Sequence, residues 1–115
     1  MSAMSDYLEL EILDHILGTG AYTMPSAVYV GLANASFGDD ASGSELSGNG
    51  YTRKVATFSA ASGGTTSNSA AIEFPAATGS WGSVGFFGIF DAASSGNLLI
   101  HGAFSSAKTI ASGDI

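Results

Sequence analysis

From residue 26 onward, the chain consists of short segments rich in β-branched and aromatic residues, separated by clusters of glycine, serine, asparagine and aspartate. Such segments favour extended backbone, and the clusters between them favour turns, so the pattern is typical of an all-β domain. The predicted strands are 27–33, 51–58, 70–74, 84–90, 98–104 and 108–110. A chain of 115 residues suits one domain. We therefore predict a mainly β fold, an antiparallel β-sandwich with Greek-key-like connections over residues 26–115.

Residues 84–97 predict the central strand of the sheet and the turn that follows it. Residues 84–90, VGFFGIF, are apolar on both faces, which suits a strand that is covered on both sides. The glycines in this segment leave room for a second backbone or an aromatic ring to approach. Residues 91–97, DAASSGN, have the composition of a turn and lead into the apolar run that begins at Leu98. The sequence therefore predicts a hairpin around this turn.

The N-terminal segment has the features of one amphipathic α-helix over about residues 5–17. Ser5 can cap its start, Asp6 lies near the positive end of its dipole, and Gly18 can end it. Glu9 falls inside the apolar arc. So short a helix is marginal alone in water, so it must dock on the sheet or on a neighbouring subunit. The candidate contacts between copies of the chain are the apolar residues at helical spacing, Leu8, Ile12, Leu13, Ile16 and Leu17.

The composition limits the partners of the protein. Charged residues make up only 11% of the chain and apolar residues 45%, and a surface so poor in charge is often covered by other subunits. The net charge of −7 leaves no basic surface for phosphates, so we expect no nucleic-acid partner. The apolar runs are too short to span a bilayer, and the acidic start is unlike a signal peptide. We expect synthesis in the cytoplasm and no membrane insertion.

Residues 36–50, SFGDDASGSELSGNG, predict a long surface loop, since they contain almost no apolar residue. Loops of this length often carry function. The candidate exposed binding residues in this loop are Phe37, Asp39, Asp40 and Glu45. Calcium is an alternative ligand for the three acids, with the hydroxyls of Ser42 and Ser44, but the spacing does not match an EF-hand. Solvated acids are the favoured interpretation, and we predict no cofactor.

Catalytic motifs are absent from the sequence. The two histidines, His15 on the helix and His101 in a strand, show no spacing that pairs them, so we expect each to be solvated or hydrogen-bonded structurally. Nucleophile elbows, zinc-protease motifs and phosphate loops do not occur. The chain is therefore predicted not to be an enzyme.

Four aromatic residues raise the alternative of saccharide binding: Tyr29, Phe37, Tyr51 and Trp81 could offer flat faces beside polar loops. Packing in the core or in turns explains them equally well. Arg53 and Lys54 form the one basic pair of an acidic chain. We expect Arg53 and Lys54 to pair with loop carboxylates or with a neighbouring subunit rather than with a ligand.

Short motifs occur in a characteristic order along almost the whole chain. They are VYVGL at 28–32, GYTR at 50–53, FPAA at 74–77, WGSV at 81–84, FGIFD at 87–91, GNLL at 96–99, Gly102, Lys108 and GD at 113–114. In this order they resemble the short tail-fibre-like structural proteins of tailed bacteriophages and prophages. Members of that family tend to continue into one more apolar strand, so the last strand is expected to be missing here.

The resemblance implies a virion structural protein, made in the bacterial cytoplasm and carried on the tail or head of the particle. It also implies a homo-oligomer, by analogy a trimer, in contact with other virion proteins, with exposed loops available for host attachment, for example to a surface glycan. The alternatives are a capsid decoration or head-fibre protein and a monomeric glycan-binding module.

Overall fold

A computed structural model describes residues 2–63, 66, 69 and 72–114 of the chain. The elements, in chain order, are strand β1, helix α1 and strands β2 to β5. Their bounds are β1 Ser2–Met4, α1 Asp6–Leu17, β2 Val28–Ala33, β3 Lys54–Ala56, β4 Gly82–Phe90 and β5 Leu98–Ile110. The prediction of a mainly β fold with one N-terminal helix is confirmed.

The five strands form one antiparallel sheet in the order β1-β5-β4-β2-β3. The central strand is β4, as its apolar residues on both faces predicted, and it pairs with β2 on one side and with β5 on the other. All strands of the described residues belong to this sheet. The second layer of a sandwich therefore stays a prediction.

The predicted hairpin joins β4 to β5. Its turn is closed by Asp91, whose backbone N–H donates to Asn97 O at 3.2 Å and whose carboxylate accepts from Asn97 N at 2.7 Å. The prediction of separate strands at 98–104 and 108–110 is wrong, because β5 is continuous through them. A register shift opposite β4, between Val84 and Phe86, takes up the additional residues of β5 without ending the strand.

Other predicted strands also differ from the structure. The strand predicted at 51–58 is reduced to Lys54–Ala56, since only these residues pair with β2. Residues 72–74 are not in a strand, while 70 and 71 lie outside the described residues. Strand β1 was not predicted. Its Ser-Ala-Met sequence has weak β propensity, and pairing with Ile100 to Gly102 of β5 decides its conformation.

The core consists of two clusters. Adjacent residues of a strand point to opposite faces, so Leu32 and Ala33 of β2 belong to different clusters. The buried residues of the first are Leu32, Ala77, Trp81 and Val84. Those of the second are Ala33, Phe37, Phe90 and Leu98. Gly88 of β4 lies under the second cluster, where an added Cβ would be 3.1 Å from the Phe37 ring, so this glycine does allow an aromatic ring to approach.

Candidate functional site

A partly buried ion pair fastens the long loop to the sheet. Arg53 donates from Nη2 to Glu45 Oε1 at 2.8 Å and from Nε to Glu45 Oε2 at 3.0 Å. Its Nη1 donates to the carbonyl oxygens of Ala92 at 2.9 Å and Ser95 at 2.7 Å, both in the β4–β5 turn. The guanidinium also lies 3.6 Å from the centre of the Phe90 ring. Of the alternatives left open for Arg53, pairing with a loop carboxylate is the one that the structure shows.

Tyr51 extends the same cluster. Its hydroxyl donates to Glu45 Oε2 and accepts from the backbone N–H of Leu32 at 2.8 Å. Burial raises the pKa of Tyr51, and the hydrogen bond to the Glu45 carboxylate raises the pKa further. The space beside Gly31 is filled by this cluster, since a Cβ on Gly31 would lie 2.7 Å from Glu45 Oε2. We call Glu45, Arg53 and Tyr51 the polar cluster.

The 36–50 loop is less exposed than the sequence predicted. Phe37 is only 3% exposed and packs edge-on against Phe90, with 5.5 Å between the ring centres. The prediction that Phe37 is an exposed binding residue is therefore wrong, because the ring fills the second core cluster. Glu45 is half-buried and held by the polar cluster, so it is not a free surface acid either. The exposed acids of the predicted binding set are Asp39 and Asp40.

These two acids have separate partners. Asp39 Oδ1 lies 2.6 Å from Nε2 of His101, and its backbone carbonyl accepts from Asp6 N at 2.7 Å. Asp40 Oδ1 accepts from Ser42 N at 3.1 Å, and hydrogen bonding from Ser42 holds the pKa of Asp40 below its usual value. Within the described residues, no group of three or more histidine and acidic side chains is placed to hold a metal ion.

The two histidines occupy different environments. His101 contacts the Asp39 carboxylate, and Nδ1 of His15 accepts from the backbone N–H of Tyr22 at 3.2 Å. Both therefore have hydrogen-bonding partners, which was one of the interpretations of the sequence. Neither partner is the other histidine, so the described geometry does not assemble them into one site.

Three of the four aromatic residues considered for saccharide binding take part in packing. Besides Phe37, Trp81 is buried and donates from Nε1 to Asn49 O at 2.8 Å. Tyr51 packs against Trp81 at 5.5 Å between ring centres. Tyr29 is half-buried within β2, opposite Phe90 of β4. The four rings do not form an exposed flat surface of the kind that saccharides contact.

Helix α1 is attached to the sheet at its first residues. Ser5 caps the helix by accepting from Leu8 N at 3.2 Å, and its hydroxyl donates to the carbonyl of Leu98, 93 positions away in the sequence. The backbone N–H of Ser5 donates to Leu99 O at 2.8 Å. Gly18 ends the helix, as the sequence predicted, and its backbone is in the left-handed conformation. The cap therefore joins helix α1 to strand β5.

Most of the apolar face of the helix remains exposed. Leu8 is buried within its own chain and is not available to a second copy, so the prediction of Leu8 as an oligomer contact is corrected. Ile12 is half-buried. The remaining large apolar residues are exposed to between 54% and 72%. We call them the helix stripe: Leu10, Leu13, Ile16 and Leu17.

An apolar groove lies on the face of the sheet that carries the first core cluster. Its volume is about 520 Å³, and it runs between residues 72–74 and the second half of β5. The apolar part of its lining is Val30, Leu32, Ile72, Phe74, Trp81, Val84, Phe104 and Ile110. Sequence analysis missed this groove. The sequence signal for the groove was the apolar residues at 104 and 110, which lie in one continuous strand. Because two separate strands were predicted there, these residues were not assigned to one surface.

Two lysines that form no ion pair among the described residues lie at this face. Lys108 lines the apolar groove, and Lys54 lines an adjoining cleft that shares Glu73 and Phe74 with it. Within the described residues neither lysine forms an ion pair, whereas Arg53 is occupied by Glu45. Two lysines against one carboxylate make this region locally positive in a chain of net charge −7.

Comparison with protein families assigns the chain to the structural fibre proteins of bacteriophages, in agreement with the resemblance of its motifs. The matching family is Gp80, the podophage GP4 fiber I protein gp80, and since its model covers residues 3–115, the chain belongs to this family. The protein is therefore associated with the virion. Comparison with curated proteins finds no match. Within the described residues, no helix has both the length and the apolar character needed to cross a membrane.

Proposed function

We propose that this fibre protein is a non-enzymatic assembly component of the phage tail that functions as a homo-oligomer, with a trimer as the expected form. The observation that carries the proposal is the helix stripe. Four large apolar side chains on one 12-residue helix are exposed in a single copy, and such contiguous apolar surface is normally covered by a partner. Burial of this stripe would also stabilise a helix that is otherwise fastened chiefly at its first turn.

The test is the molar mass of the chain in solution, measured by light scattering over a range of concentrations. The unmodified chain is expected to give an oligomer, and the double substitution Leu13→Asp with Ile16→Asp is expected to give a monomer, since it places two carboxylates in the buried contact. Met24→Asp is the matched control, because Met24 is 82% exposed and lies beyond the helix. A monomer for the unmodified chain, or an unchanged oligomer after the double substitution, would contradict the proposal.

We further propose that the 36–50 loop faces outward and contributes to host attachment, for example to a surface glycan. The exposed carboxylates of Asp39 and Asp40 support this part, since they are accessible and held by a loop that the polar cluster anchors. The test is competition: the purified oligomer should reduce adsorption of the phage to its host, and Asp40→Ala should weaken this competition. Equal competition by both proteins would remove the loop from the proposal.

The position on the virion distinguishes a tail fibre from a head fibre or decoration protein. Gold-labelled antibodies against the chain, viewed on intact particles by electron microscopy, are expected to label the tail. Labelling of the capsid surface would instead support the head-fibre alternative.

A further inference from the structure

We infer that the apolar groove of one copy receives the helix stripe of a neighbouring copy. The inference rests on the proposed homo-oligomer and names the two surfaces that form it. A single copy carries both an exposed apolar surface, the helix stripe, and an apolar recess, the groove, and the two match in geometry and in charge.

The helix cannot bury the stripe against its own sheet. Successive residues of an α-helix are about 100° apart around its axis, so the stripe residues lie about 80° to 200° away from Leu8. Leu8 is the residue that is buried within the chain. The stripe is therefore turned to the side or away from the sheet while the Ser5 cap holds the helix in place. A second copy can cover the stripe without moving either element.

The groove is long enough for the helix stripe. The stripe runs from Leu10 to Leu17, which is about 11 Å at 1.5 Å per residue. The groove follows β5 from Phe104 to Ile110, which is about 20 Å at 3.3 Å per residue. The whole stripe therefore fits within the groove, whose lining offers Phe74, Phe104 and Trp81 to its leucine and isoleucine side chains.

The charges of the two surfaces are complementary. Glu9 falls inside the apolar arc of the helix, and Asp14 lies near the edge of the helix stripe, next to Leu10 around the helix axis. A carboxylate within an apolar contact is costly unless a cation faces it. Lys108, within the groove, and Lys54, in the adjoining cleft, are the cations free to do so among the described residues, with Glu73 as the opposing acid. Docking therefore gives Glu9 a cation that the described part of its own chain does not supply.

This contact joins two different surfaces, so it is a head-to-tail interface. Each copy offers its helix to one neighbour and its groove to another, and such contacts close into a ring when the rotation between copies divides a full circle. A cyclic trimer satisfies this condition and agrees with the proposed oligomer.

The first test is disulfide cross-linking, which the absence of cysteine from the chain makes simple. Leu13→Cys on the stripe and Ser106→Cys in the groove are introduced together, and the oxidised protein is separated on a denaturing gel. We expect covalent species up to the size of the oligomer. The control pair, Glu11→Cys with Ser106→Cys, places the helix cysteine about 160° around the helix from the middle of the stripe and should give no such series. Equal cross-linking of both pairs, or none in the test pair, would overturn the inference.

The second test is charge reversal, followed by light scattering. Lys108→Glu is expected to raise the dissociation constant of the oligomer by about tenfold, and adding Glu9→Lys should restore affinity to within about threefold of the unmodified chain. Failure of the second substitution to restore affinity would contradict the pairing. If the unmodified chain is an oligomer and both tests fail, this inference is wrong while the proposed function stands. If the unmodified chain is a monomer, both are overturned.

Discussion

Arg53 and Glu45 form an ion pair with 2.8 Å between Nη2 and Oε1, and through Arg53 this pair connects the 36–50 loop to the turn between β4 and β5. Glu45 lies in the 36–50 loop, and Arg53 reaches from the start of β3 to the carbonyls of the β4–β5 turn. Both side chains are largely shielded from water. The pair therefore controls how the loop that carries Asp39 and Asp40 is held against the sheet.

The first prediction concerns this ion pair. Arg53→Ala leaves the Glu45 carboxylate without its cation, and we expect it to lower the free energy of unfolding by about 3 kcal/mol. Urea unfolding followed by circular dichroism measures the change. Lys54→Ala is the control, since Lys54 is exposed and should change stability by less than about 0.5 kcal/mol. Equal stability of the two variants would show that the pair is not energetically important.

A second prediction concerns Gly31. A methyl group at this position would lie 2.7 Å from Glu45 Oε2 and 3.0 Å from Phe90 Cε1, so Gly31→Ala must displace the polar cluster. We expect a loss of about 2 kcal/mol in unfolding free energy. Gly20→Ala is the matched control, because its nearest contact would be 3.6 Å away. A stable Gly31→Ala variant would mean that the cluster has room to shift.

The Ser5 cap provides a third prediction. Ser5 is 1% exposed, and its hydroxyl bonds both to Leu8 N and to the carbonyl of Leu98. Ser5→Ala should lower stability by about 1–2 kcal/mol and reduce the helical signal in circular dichroism. The control is Ser47→Ala, at an exposed position of the 36–50 loop. Loss of stability without loss of helical signal would indicate that the bond to Leu98, rather than the helix cap, is the important one.

The fourth prediction is a dependence of stability on alkaline pH. Burial raises the pKa of Tyr51 above its ordinary value of 10.0, so the folded chain keeps a proton that the unfolded chain loses. The stabilisation from this group is complete below about pH 10 and decreases as the pH rises above it. Thermal unfolding at a series of alkaline pH values measures the decrease. It should be smaller in Tyr51→Phe than in Tyr29→Phe, and identical slopes would contradict the assignment to Tyr51.

Local patterns were enough to predict helix α1, strand β2 and the β4–β5 hairpin. The helix has its start and stop within a few residues, at Ser5 and Gly18, and the hairpin has a turn sequence between two apolar runs. The central position of β4 was also predictable, since a strand with apolar residues on both faces must be covered on both sides. The order of the short motifs indicated the family, which the family comparison confirms.

Tertiary contacts decided the rest of the structure. Strand β1 exists because β5 offers it a partner about 100 positions away, and Phe37 is buried because Gly88 leaves space beneath its ring. The pairing of Glu45 with Arg53, the exposure of the helix stripe and the groove beside β5 also depend on how distant segments meet. The sequence alone determined the elements whose signals lie within one stretch of chain. Burial and partnership required the folded structure, because these energies come from contacts between residues that no local pattern brings together.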